Sequence, residues 1–515
     1  MNEVCIYMNH LGTSNSAASN YYSLAMPTLT PTADAGSGSG ATKSGGDHVV
    51  IFPFMAKGHT LPLLHFATAL SVHHSNLRVT LITTPANRDF VRSHLPASVH
   101  LIELPFPSYP PLPAGVESTD ALPCPSMYPV FLSATALLKE PFAAFLASLP
   151  STPLAIVSDF FLGFTHRAAA DAGVPRVVFH GMSCFAMAIC KAVIGNPPLG
   201  MEPGALFHVP GMPEHVAIMK EEIPDSILKF ADPEDPVTRF FIEHVGDSDV
   251  RSWGVLVNSF AALDESYVPA LESFYEPDAR AWLVGPMFLA AGDMTTELDK
   301  ELDPEGCLAW LDGRASQLGS VVYVSFGTQA HVSDAQLDET LHGLVQSGHP
   351  FLWTVRSDTW SPPMDVGPNS RIVRGWVPQR SVLAHKAVGG FVSHCGWNST
   401  MEGLAAGKPI LAWPMIAEQM LNAMHAADIV GAGVRIHTKT GGMAAVGIVG
   451  RKEVEEKVRN LMDAHSEVGK RIRAKATWAQ QAAKSAVSQR GASRMALEEL
   501  VDELRRTYGA VAGDI

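Results

Sequence analysis

The sequence predicts an α/β fold with a doubly wound parallel sheet in each of two domains, and three observations carry that expectation. Short, almost wholly apolar runs at 48–54, 77–83, 154–158 and 175–180 alternate with helical patterns, which is how strands covered on both faces of a parallel sheet read. The chain has 515 residues, 47% of them hydrophobic, enough for two cores of ordinary domain size. A loop-like, acidic stretch at 297–305 follows the run 282–286 and interrupts the alternation, so a second domain is expected to begin before Cys307.

In chain order, residues 1–47 are rich in Ser, Gly, Thr and Ala and read as a disordered extension. They hold no basic leader before an apolar run and no arginine, and Lys43 is their only lysine, so neither a secretory nor an arginine-rich organellar leader is expected and the location reads as cytoplasmic. The glycines before Lys43-Ser44 lack the glycine that a phosphate loop places next to its lysine. Residues 48–286 form the first domain: the strand 48–54, a loop carrying Lys57, Gly58 and His59, a helix over 61–71, and further strands including 254–257. Residues 287–515 form the second, with strands at 319–326 and 351–356 and amphipathic helices over 451–507. No run of about 18 apolar residues is present, so no transmembrane segment is expected, and weak peripheral membrane association stays open. The apolar segment 182–192 reads as the lining of an interior cleft.

A formal charge of −14 argues against a nucleic-acid partner. The six cysteines show no C-x-x-C spacing and read as free thiols in a reducing compartment. Asp247-Ser248-Asp249 is a D-x-D triplet of the sort that holds a metal at a diphosphate, but it lies far from the nucleotide segment described next. It reads as an exposed turn, and no metal is assigned.

In a doubly wound sheet, ligands lie beyond the carboxyl ends of the strands. His59 follows the first strand and Asp159 ends the strand 154–158. A neutral imidazole takes a proton from a hydroxyl, and a carboxylate fixes its tautomer and stabilises the imidazolium. Both residues are equally suited to capping the helices that follow them. His180 also stands at a strand end, but no acid partner for it is visible in the sequence.

The segment 376–419 concentrates nucleotide-binding chemistry in one strand-loop-helix-strand unit. After the strand at 389–393, Asn398, Ser399 and Thr400 supply capping side chains for a helix that stops at Gly407. The helix N-terminus, with His394, Asn398 and Ser399 beside it, suits a phosphate. Glu402, on the face of Ser399, suits a ribose diol, and Trp376 suits a flat base. Singly, these residues are as readily core and capping residues; their order within one unit is what points to a nucleotide.

The unit resembles, without a gap, the signature box of the plant secondary-product UDP-glycosyltransferases, which runs from W-x-P-Q through H-C-G-W-N-S to an acidic residue and Q. The resemblance covers roughly residues 48–510, and it implies a GT-B fold of two facing Rossmann-like domains whose last helix returns to the first domain. It implies that Trp376 stacks on uracil, that Gln379 and Glu402 meet the ribose, and that His394, Asn398 and Ser399 meet the diphosphate. Trp397, Glu418 and Gln419 are implied to contact the sugar, with Gln419 favouring glucose; Glu418 stands where the family usually has aspartate. Thr328, in the motif 325–328, is implied at a phosphate, a position where a turn or cap role is equally open. Ser183 lies where the family commonly has a hydroxyl that touches the sugar. The segments around His59 and Asp159 resemble those bearing the family's catalytic histidine and its paired aspartate. The implied enzyme is a monomeric UDP-glucosyltransferase that uses UDP-glucose as donor substrate, has no prosthetic group or metal, and inverts the anomeric centre. Its acceptor is a small hydroxylated apolar molecule, with flavonoids and other phenolics leading over terpenoids and hormones, in a cleft near Phe54, Phe161, Phe185 and Met187. The same chemistry with another UDP-sugar, a UDP-sugar epimerase and a non-catalytic nucleotide-sugar binder are the alternatives, the last two separable from transfer by product analysis.

Overall fold

The computed structural model describes residues 47–198, 200–202, 204–292, 303–327, 332–357, 359–436 and 447–509. Fifteen strands lie among them: β1 His48–Phe52, β2 Arg78–Thr83, β3 His100–Glu103, β4 Ala155–Asp159, β5 Arg176–Phe179, β6 Leu206–His208, β7 Ala217–Met219, β8 Gly254–Val257, β9 Arg280–Leu283, β10 Val321–Ser325, β11 Phe351–Thr354, β12 Arg371–Val373, β13 Val388–Ser393, β14 Ile410–Ala412 and β15 Gly433–Arg435. They form a seven-stranded sheet in the order β3-β2-β1-β4-β5-β8-β9, a six-stranded sheet in the order β12-β11-β10-β13-β14-β15, and the small antiparallel pair β6-β7. Every pairing within the two large sheets is parallel.

Both sheets are covered on both faces, which explains why their strands read as unbroken apolar runs. Val50 and Phe52 of β1 pack into one core cluster and Val49 and Ile51 into another; Val321 and Tyr323 of β10 are divided in the same way from Val322 and Val324. Strand order reverses between β1 and β4 and between β10 and β13, so each sheet opens a crevice at its carboxyl edge. The two cores also interleave. Phe260 and Leu263 pack into the core of the second sheet, while Leu421 and Met424 pack into that of the first.

Helices set the remaining geometry: α1 Lys57–His73, α2 Cys184–Gly195, α3 Trp397–Ala405, α4 Gln419–Met424 and α5 Ala492–Tyr508. Helix α1 begins four residues before the expected start at 61, which brings His59 into its first turn. Helix α5 lays Leu497, Leu500, Val501 and Leu504 into the first sheet's core, and Arg505 forms an ion pair with Asp47 at 2.8 Å. One stretch, Pro125–Ser148, has the length and composition of a membrane span, which the sequence reading did not expect. It comprises two main helices whose Phe131, Leu132, Phe142 and Leu146 sit in the first core, so packing accounts for its apolarity.

Candidate active site

The pairing Phe52↔Ser158 sets the ends of β1 and β4 side by side, with Asp159 the last residue of β4 and His59 on the first turn of α1. Their side chains meet, Nδ1 to Oδ2, at 2.7 Å across 100 residues of chain. Asp159 is fully buried; its Oδ1 accepts from the Phe161 N–H at 3.0 Å, and its main-chain carbonyl accepts from the buried Arg176 guanidinium at 3.0 Å. A quarter of the His59 side chain remains exposed. Burial of the ring opposes protonation, but the charge and hydrogen bond of Asp159, helped by Glu418, outweigh it, and the imidazole titrates above its ordinary 6.5. With Nδ1–H donated to the carboxylate, the neutral ring keeps a lone pair on Nε2, the arrangement of a base.

Across the cleft, β13 ends at Ser393 and the chain turns through Cys395, whose φ of 61° is a left-handed conformation rare for a side-chain-bearing residue. Helix α3 then starts at Trp397, with Gly396 as its N-cap and no side-chain cap. The expected capping by Asn398, Ser399 and Thr400 is therefore corrected. These residues lie inside the first turn, past the cap position, and no side chain caps the helix's leading N–H groups, the arrangement that suits an anion. The His394 ring lies beneath two glycines: a Cβ on Gly327 or Gly396 would come within 2.5 or 2.6 Å of its Nε2. Burial holds its pKa down at about 4, so at neutral pH it is an uncharged donor.

Asn398 donates from Nδ2 to the Gly58 carbonyl of the other domain at 2.7 Å. That carbonyl is available because Pro62, four residues on, has no N–H with which to close the helical hydrogen bond. Gln379 links the next pair, donating from Nε2 to Glu402 Oε2 at 2.7 Å and to the Ser399 hydroxyl at 3.0 Å. Its Oε1 accepts from the Tyr323 hydroxyl at 3.1 Å. Trp376 is half-buried.

The residues expected at the sugar are more constrained than their sequence suggested. Trp397 is 2% exposed, and its indole N–H is donated to the Asn258 carbonyl at 2.8 Å, so it has none left for a sugar hydroxyl. Gln419 Oε1 accepts the N–H groups of Met415 and Ile416, each at 2.9 Å, which leaves only its amide hydrogens for a ligand. Glu418 stands at the N-cap of α4 without a side-chain cap to that helix; burial pushes its carboxyl up, while a hydrogen bond from its own backbone, one from Asn422 and the charge of His59 oppose the rise. Thr328 lies outside the described residues. Ser183 is fully buried and caps α2 by accepting from the Ala186 N–H at 3.0 Å. Of the proposed acceptor cleft, Phe54, Phe185 and Met187 are core residues and Phe161 keeps some exposed surface, stacked on Phe54 at 4.5 Å. A cavity of about 310 Å³ opens elsewhere, between the carboxyl ends of β1 and β2, with Met55, Lys57, Thr60, Phe90 and Asp120 in its wall but neither His59 nor Asp159.

The D-x-D triplet is no exposed turn. Asp247 is on the surface, paired with Arg251, but Asp249 is buried and accepts from Lys191 at 2.6 Å, His180 at 2.8 Å and the Tyr275 hydroxyl at 3.0 Å. His180 thus has the acid partner that its sequence context did not show. Among the described residues, no three His, Cys, Asp or Glu side chains stand together as metal ligands. Residues missed altogether include Asn258, which holds Trp397, and Asn422, which ties the Cys395 carbonyl to Glu418 at 2.9 and 3.0 Å. Asn422 carried a faint signal, one helical turn after Glu418; Asn258 carried none.

Two doubly wound domains that face each other, with a histidine–carboxylate pair opposite an uncapped helix and a hydrogen-bonded Gln–Glu pair beside it, define a nucleotide-sugar-dependent glycosyltransferase of GT-B architecture. Residues 285–464 match the family described as UDP-glucoronosyl and UDP-glucosyl transferase, and residues 48–289 match the glycosyltransferase N-terminal domain. UDP-glycosyltransferase 90A1 of Arabidopsis thaliana is 36% identical over 89% of this chain and 96% of its own length. The scopoletin glucosyltransferase of Nicotiana tabacum is 32% identical over 90% and 98%. The crystal structure of Medicago truncatula UGT71G1 complexed with UDP-glucose superposes with a TM-score of 0.75 at 25% identity, covering 89% of this chain and 98% of that one. The chain belongs to the UDP-glycosyltransferase family, and it is an enzyme that transfers a sugar from a UDP-sugar donor.

Proposed function

We propose that the enzyme transfers glucose from UDP-glucose, with inversion, to a hydroxyl of a small phenolic acceptor. The observation that carries this reading is the His59–Asp159 contact at 2.7 Å, with His59 on the helical turn whose Gly58 carbonyl Asn398 holds. His59 Nε2 takes the acceptor's proton as its oxygen bonds to the anomeric carbon, and the bond from that carbon to the diphosphate oxygen breaks with its electron pair going to UDP. Attack from the face opposite UDP turns an α-linked donor into a β-glucoside. Asp159 stabilises the imidazolium. The amides of α3, with His394, Asn398 and Ser399, receive the departing charge, so the step calls for no metal ion. Trp376 carries the uracil, Gln379 and Glu402 the ribose, and Glu418 and the amide of Gln419 the sugar hydroxyls. Trp397 acts from beneath, holding the turn in place through Asn258, and Thr328 completes the phosphate site. Residues 48–286 form the acceptor half and 287–515 the donor half of a monomer.

Glucose and a phenolic acceptor are the expectations that the resemblance supplied, and relatives named for scopoletin and anthocyanin glucosylation support them. Incubating the purified enzyme with UDP-glucose and a panel of phenols, alcohols and terpenoids, then assigning the anomeric configuration of each product by NMR, tests the reading. A β-glucoside of a phenol is expected. An α-glucoside, or an epimerised donor without transfer, would overturn it.

A further inference from the structure

Lys57 has no part in the transfer chemistry above, yet its ammonium touches both domains. Nζ lies 3.5 Å from Asp120 Oδ2 and 5.5 Å from the centre of the Phe90 ring, both in the first domain, and 5.4 Å from the centre of the Trp376 ring in the second. Lys57 is also the first residue of α1, so one helical turn carries the contact to Trp376, the Gly58 carbonyl held by Asn398, and the base His59. A cation over an indole is drawn to the negative face of the ring, and the attraction grows as water is excluded. Here the Lys57 and Asp120 side chains keep only 31% and 20% of their surface.

We propose that Lys57 is a donor-positioning residue supplied by the acceptor domain, closing the nucleotide-base site from the opposite side of the cleft. The proposal rests on Trp376 being the platform for uracil. The ammonium holds the indole in its stacking pose, which favours the bound donor. Asp120 keeps the flexible lysine stem pointed at the ring instead of into solvent.

The test is Lys57→Met, which keeps the stem and removes the charge, beside Lys57→Arg, Trp376→Ala and the Lys57→Met/Trp376→Ala double variant. Removing the cation is expected to raise KM for UDP-glucose by roughly 2- to 30-fold, the range of a partly desolvated cation–π contact. The single-turnover rate at saturating donor and the acceptor KM should stay within about twofold, and arginine should restore most of the donor affinity. In the Trp376→Ala background the lysine substitution should cost little more, because its partner is gone. An unchanged donor KM, a shift confined to the acceptor KM, or full additivity in the double variant would each overturn the proposal while leaving the platform assignment standing. If Trp376→Ala itself binds UDP normally, the platform assignment falls and the proposal falls with it.

Discussion

Replacing His59 by alanine removes the lone pair that takes the acceptor's proton and leaves the helix-end donors and Glu402 in place. General-base catalysis is worth about 10²- to 10⁴-fold, or roughly 2.7 to 5.4 kcal/mol of activation free energy. The structure adds a second, separable effect. Asp159 is fully buried and loses its 2.7 Å partner, retaining only the Phe161 N–H at 3.0 Å on its other oxygen and the charge of nearby Arg176. A stranded buried acceptor costs about 1 to 3 kcal/mol of stability. His59→Asn separates the two effects, since its amide places a donor near the position of Nδ1 and nothing at Nε2. It should fold better than the alanine variant and transfer equally poorly. Single-turnover transfer to phenols of graded acidity and to an aliphatic alcohol, with UDP affinity by calorimetry and circular dichroism in parallel, reads all of this. UDP should bind both variants, and the more acidic phenols should partly rescue them because they arrive partly ionised. Near-normal transfer by His59→Ala to the aliphatic alcohol would refute the base assignment.

Glu402→Gln should weaken UDP binding by about 10- to 150-fold, the value of a charge-assisted bond, and calorimetry should show it with little change in fold; the Gln379 amide now bonded to Glu402 at 2.7 Å loses its ionic partner in the same step. Gln419→His should lower the UDP-glucose to UDP-galactose preference ratio in donor competition, because one imidazole nitrogen cannot accept both the Met415 and Ile416 N–H groups that Oε1 now holds; an unaltered ratio would remove Gln419 from sugar recognition. The pH profile supplies a further check. The raised pKa of His59 means that its neutral, active form is lost as pH falls through a value above 6.5, so the acid limb of the transfer rate should lie above that point in the native enzyme. Asp159→Asn removes the largest cause of the rise and leaves burial, the cause that lowers it, so the limb should move to lower pH while the plateau rate falls. The same linkage makes the His59–Asp159 contact stabilising below pH 6.5 and progressively lost as pH rises through the folded-state value, which thermal unfolding against pH will show.

The donor half was legible because its determinants are local. A strand, a turn, a helix and a second strand follow one another within 376–419, and parallel packing covers the strands on both faces, so the apolar runs and their order were enough to place β13, α3 and β14. The same reasoning placed His59 and Asp159 at strand ends without showing that they meet. It overlooked the short edge strands β3, β12 and β15, whose partly exposed or three-residue runs carry little periodicity.

What the sequence determined by itself was the fold class, the family and the order of groups along the nucleotide segment, because apolar runs, turn residues and their spacing are written in neighbouring positions of the chain. What the tertiary structure decided was which of those groups remain available. Trp397 gives its indole hydrogen to a carbonyl 139 residues away, Asn398 reaches Gly58 across 340, and Asp249 finds His180 across 69 and Lys191 across 58 to become part of a buried ionic cluster. A hydrogen-bonding group has a small, fixed number of donors and acceptors, and burial obliges it to use them. Residue type and spacing state what a side chain has to offer, and only the packing of two separate sheets against each other settles whether a ligand or another part of the protein receives it.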